Sequence, residues 1–162
     1  MALENPLWHY VLKLYSRPGV EDACLALQTR GAAVNRLLLA CWAGSQGIVL
    51  DEERWRALGT DWRREVVEPL RQVRYRVRRQ YQEEAELEAS YRALRAAELA
   101  CEQAELMQFH AQLSGWHPER VFEPDVLIGD NLAAYCEYEG LSPDAGMLEP
   151  LLQAALAMPG SG

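Results

Sequence analysis

The chain has 162 residues, a formal net charge of −8 at pH 7, 49% hydrophobic residues and 25% charged ones. That size and balance suit one globular domain burying about two-thirds of its unfolded surface, and they exclude wholesale disorder. No apolar run approaches the roughly 20 residues of a membrane span. The N-terminal Met-Ala-Leu-Glu-Asn-Pro lacks the basic and apolar regions of a secretory signal, so the expected setting is the cytoplasm.

Asn5 followed by Pro6 predicts a helix start, because Asn can cap free N–H groups and Pro loses nothing at the first helical position. Leu7, Val11 and Leu14 recur at helical spacing, with Trp8, Leu12 and Tyr15 widening the stripe. After Pro18-Gly19 a second helix carries Val20, Cys24 and Leu27 as far as Gly31. A third, from about Ala32 to Trp42, is apolar almost all round and predicts a central core helix. Asp51 caps a short fourth helix with Trp55 and Leu58, closed by Gly59.

Thr60 or Asp61 opens the longest helical pattern, and residues 70–113 contain neither Gly nor Pro. Val66, Leu70, Val73 and Val77 alternate by four, three and four, which predicts a coiled-coil-like inward seam. One unbroken helix over residues 70–113 would be about 66 Å long. A domain of this size is nearer about 40 Å across. A break within residues 80–86 is therefore expected, making a long helical hairpin; the alternative is a single protruding helix, since nothing local enforces a stop. Beyond a loop over residues 115–129, Asp130 reads as the cap of a seventh helix. Ser142-Pro143 reads as the start of an eighth, so that two short helices close the chain. The expectation is an all-α bundle of about seven or eight helices, one domain over residues 5–158, with a disordered tail at 159–162. Its core should include Trp8, Leu12, Leu27, Leu38, Trp42, Leu70, Val73 and Val77.

Residues 7–71 also carry a resemblance. Leu7-Trp8-x-Tyr10, Cys24-Leu25-x-Leu27-Gln28, Asn35-x-Leu37-Leu38-Leu39-x-x-Trp42-x-Gly44 and Trp62-Arg63 leading to Val67-x-Pro69-Leu70-Arg71 are the matching residues. On these the chain resembles an uncharacterised helical family of proteobacterial proteins, a domain of unknown function, mainly over residues 5–79. The resemblance implies a helical fold and a cytoplasmic setting and transfers no site residue.

Catalytic and metal chemistries find little support in the pattern. The four cysteines are widely separated and read as buried small hydrophobes. His9, His110 and His117 form no H-x-x-x-H and no zinc spacing with a cysteine, and no Glu-x-x-His pair suits a di-iron bundle. Gly44-Ser45-Gln46-Gly47 lacks a phosphate-cradling Lys and follows a helix rather than a strand, so it reads as a helix-ending turn. The expectation leans away from an enzyme, with no catalytic residue, metal or cofactor.

Charge is the most informative feature. Residues 1–82 carry a net +4 and residues 83–162 a net −12, so the halves can pair with each other or offer unlike surfaces. Arg71, Arg74, Arg78 and Tyr81 fall on one helical face flanked by Arg76 and Arg79. That face reads either as a solvated one neutralised by Glu83, Glu84, Glu86 and Glu88, or as a guanidinium comb for phosphates or carboxylates. An acidic chain disfavours nucleic acid. Two functions remain. One is a non-enzymatic interaction or regulatory protein, using a protein partner or self-association on its polarised surface. The other is a small helical enzyme or binding protein with an anionic ligand among Tyr10, Trp42, Arg63 and Arg71. A cleft where Arg and aromatic groups converge would favour the second, and a filled interior the first.

Overall fold

In the computed structural model, residues 1–144 and 146–159 are described, and they form helices and turns without a strand. Of the tail expected at 159–162, only Pro159 is among the described residues. The helices are α1 (Pro6–Tyr15), α2 (Val20–Thr29), α3 (Val34–Ser45), α4 (Glu52–Ala57), α5 (Glu68–Tyr81), α6 (Glu88–Leu113), α7 (Pro124–Glu139) and α8 (Glu149–Leu156). The all-α expectation, the hairpin and the closing helix pair hold.

Two starts follow the expected chemistry. The Asn5 side chain accepts a hydrogen bond from the Trp8 N–H at 3.0 Å, and that of Asp51 accepts one from Arg54 at 2.9 Å. The hairpin turns inside the expected segment: α5 ends at Tyr81, and a 3-10 turn at Ala85–Leu87 precedes α6. Glu83, Glu84 and Glu86 lie where the negative end of the α5 dipole would repel them, which disfavours continuing that helix. Glu88 and Arg92 make the expected pair across one turn of α6, whereas Arg79 gains no pairing with Glu83, which has left the helix.

The last two starts differ from expectation. α7 begins at Pro124, not at Asp130, because Pro124 suits the first turn and Asp125 complements its dipole. Ser142-Pro143 starts no helix, since Gly146 at φ +91° interrupts the helical path and α8 begins only at Glu149.

α3 is the central helix as expected, with Leu37, Leu39, Ala40, Cys41 and Ala43 fully buried. α7 packs closely on it at Gly44, where an added Cβ would lie 2.7 Å from the Ile128 Cα. The buried Asn131 of α7 straps the segment after α3, accepting from the Leu50 N–H at 2.8 Å and donating to the Ile48 carbonyl at 2.9 Å.

Of the expected core, Leu27, Leu38 and Trp42 are buried. Trp8, Leu70 and Val77 are half-buried, while Leu12 is 50% and Val73 48% exposed. The predicted seam on α5 is thus wrong in face: Arg71 and Arg74 point inward and Val73 outward. The cause lies on the opposing helix, where Glu98, Glu102 and Glu105 share the inward face. Carboxylates entering a low-dielectric interface require cations opposite them, and valines cannot supply these. A π turn at Arg63–Val67 leads into α5. It widens the helix just before Pro69, which has no N–H to donate and whose ring would crowd the preceding turn.

Candidate functional site

The interface inside the hairpin is an ion-pair ladder. Arg63 donates through Nη2 to Glu105 Oε1 at 2.8 Å and through Nε to Oε2 at 3.1 Å, a two-pronged contact. Asn35 of α3 donates to the same Glu105 oxygen at 2.8 Å. Arg71 reaches Glu98 at 2.9 Å, Glu102 at 2.7 Å and Glu68 at 3.2 Å. Arg74 pairs with Glu98 through its Nε. The basic first half and acidic second half of the chain meet along this line.

The environment separates the two carboxylates nearest Arg71. Burial alone would push Glu98 up, but the hydrogen bonds and charges of Arg74 and Arg71 together outweigh it and hold Glu98 below the ordinary range. Glu102 goes the other way: burial pushes it up by more than Arg71 draws it down, and the Glu98 charge adds to the rise.

Beside the ladder lies a cleft of about 490 Å³ between α1 and α2 on one side and the hairpin on the other. Its apolar wall includes Trp8, Leu12, Leu25 and Leu99, and the last three are substantially exposed at its mouth. Its charged wall carries Arg71, Arg74, Arg78 and Arg95 against Glu21, Glu98 and Glu102. Arg71 and Arg74 are committed to the ladder. Arg78 makes no ion pair among the described residues, and Arg95 makes only a 3.6 Å approach to Glu98. Tyr15 also lines the cleft; burial, with Glu21 and other nearby groups, pushes its phenol up to about 12, so it stays a hydrogen-bond donor.

The residues singled out from the sequence are therefore divided. Arg71, Arg74 and Arg78 do share one side of α5 and all line the cleft. Arg63 is buried against Glu105, away from the cleft, and Tyr81 stacks on Tyr91 near the hairpin turn at a centroid distance of 6.0 Å. Tyr10 and Trp42 are core residues that do not line the cleft. The sequence reasoning missed Arg95, Glu98 and Glu102. A signal for the acids was present: Glu98, Glu102 and Glu105, spaced by four and three, fall on one face of their helix.

No helix among the described residues is long and apolar enough to cross a membrane. Neither a curated protein nor a solved structure matches the chain. Residues 6–109 match a family described as a protein of unknown function, DUF2390. That span runs from the start of α1 almost to the end of α6 and includes every residue lining the cleft. On that match, which covers well over half of its length, the chain belongs to the DUF2390 family.

Proposed function

We propose that the chain is a non-enzymatic binding protein whose cleft takes a small amphipathic anion, an apolar body ending in a carboxylate or phosphate. The observation that carries this reading is the juxtaposition in one cleft of exposed leucines with Arg78, which makes no ion pair among the described residues, and Arg95, which only approaches Glu98 at 3.6 Å. The cleft volume falls within the roughly 300–1,000 Å³ usual for ligand sites. Its arginines outnumber its carboxylates in a chain whose overall charge is −8, so the local field favours an anion where the whole molecule would repel one. The apolar wall supplies affinity by area removed from water. The exposed guanidiniums supply choice of head group.

The test is titration calorimetry with decanoate, octyl phosphate and the uncharged decanol. The anions should bind more tightly than decanol. Arg78→Gln with Arg95→Gln should erase that preference, weakening the anions roughly 10-fold or more while leaving decanol unchanged, since a hydrogen bond to a charged group contributes about 1.5–3 kcal/mol. Absence of binding by all three probes, or anions binding no better than decanol, would overturn the reading.

A second reading, an acidic protein partner, draws on the outer face of α5. Arg76 and Arg79 are exposed there and make no ion pair among the described residues. Co-purification from the native host that is lost with Arg76→Gln and Arg79→Gln, and lost with added salt, would favour it.

A further inference from the structure

Arg36, near the start of α3, is buried to 1% exposure, yet it belongs to no part of the ladder. Its guanidinium carbon stands 5.8 Å from the ring centroid of Trp55 and 5.5 Å from that of Phe109. Nη2 donates to the Gly59 carbonyl. Nε and Nη1 reach no acceptor among the described residues, and neither does the buried Trp55 Nε1. Arg36 makes no ion pair among the described residues, in contrast to Arg63, Arg71 and Arg74, which each hold a carboxylate.

A buried cation without a counter-charge is the costliest arrangement a core can hold. The two aromatic rings attract the positive charge and offset part of that cost. They do not stand in for hydrogen-bond acceptors of ordinary strength. What remains is a set of unpartnered groups made only of donors: Arg36 Nε, Arg36 Nη1 and Trp55 Nε1. A water molecule placed there would accept from them but would bring two protons of its own needing acceptors. An anion needs donors alone, and it also cancels the guanidinium charge. The Gly59 turn that receives Nη2 is itself exposed, with open space beyond its Cα.

We propose that Arg36 and Trp55 form a buried receptor for a small monovalent anion of chloride size, which completes the core between α3, α4 and α6. The site is independent of the cleft.

Thermal unfolding of the full chain at constant ionic strength, with sodium gluconate exchanged stepwise for sodium chloride or bromide, tests it. Gluconate is too large for the site. The expected result is a saturating rise in Tm with either halide, roughly 5 °C or more once the halide reaches about a hundred times its Kd. Trp55→Phe keeps an aromatic face and removes the N–H, so it should shift the halide midpoint several-fold upward. Arg36→Met should abolish the dependence. If Arg36→Met does not fold, crystals of the unaltered protein grown in sodium bromide decide the matter: an anomalous peak within hydrogen-bond distance of Arg36 Nε or Nη1 and Trp55 Nε1 supports the receptor. A Tm indifferent to halide, or a bromide crystal with no anomalous peak at Arg36, overturns it.

Discussion

Arg71 Nε donates to Glu98 Oε1 at 2.9 Å, and the same carboxylate also takes Arg74, so one buried acid of α6 holds two cations of α5. The two arginines depend on it unequally. Arg71 also has Glu68 and Glu102, whereas among the described residues Arg74 pairs only with Glu98. Glu98→Ala is therefore expected to cost about 3–5 kcal/mol, because it strands the Arg74 charge in a buried position. Replacing Arg74 and Glu98 together with Leu should cost much less than Glu98→Ala alone, since no unpaired charge is left. Arg78→Gln, at an exposed position on the cleft wall that is unpaired among the described residues, should stay within about 0.5 kcal/mol. Urea unfolding of the four proteins gives the comparison. Equal losses for Glu98→Ala and the double variant would contradict the ladder as a charge-pairing device.

The ladder also sets a pH dependence with two opposing parts. Glu98 is held below its ordinary value of 4.5, so the stability it contributes is fully present above about that pH and is lost as pH falls through its lowered folded value. Glu102 is raised above 4.5, so its contribution is present below that pH and is lost as pH rises through the raised value. Glu98→Gln should flatten the acid side of the stability profile. Glu102→Gln should remove a decline on the alkaline side of 4.5 while keeping an oxygen acceptor for Arg71. Unfolding free energies measured from pH 3 to 8 check both, and identical profiles for the two variants would refute the assignment.

Gly44 lets α7 approach α3, and an added Cβ there would stand 2.7 Å from the Ile128 Cα and 2.8 Å from its backbone nitrogen. Gly44→Ala gains about 1 kcal/mol of helix propensity. The clash is with backbone, which cannot rotate aside, and overpacking of this kind costs about 1–3 kcal/mol, more for Val than for Ala. Both variants should melt below the unaltered protein, each kcal/mol lowering Tm by roughly 2–4 °C. A rise in Tm for Gly44→Ala would mean that the two helices are free to separate.

Much of this architecture is legible along the chain because its causes are local. The Asn5 and Asp51 caps and the apolar girth of α3 each follow from residues within a few positions of one another, and the hairpin turn follows from the length an unbroken helix would have against the width of the domain. The opposed charge of the two halves also signals that they can pair. What the chain alone leaves open is which face of α5 turns inward, because Leu70-Val73-Val77 and Arg71-Arg74 are equally good helical stripes. The tertiary structure decides it through the acids that α6 brings opposite: burying Glu98 and Glu105 demands guanidiniums across the interface, and that demand outweighs the area that Val73 would have removed from water. The same non-local choice opens the cleft, by leaving Leu12, Leu25 and Leu99 uncovered, and shuts Tyr10 and Trp42 in the core. Spacing within one helix determines which residues share a face, but only the partner helix determines which face is buried.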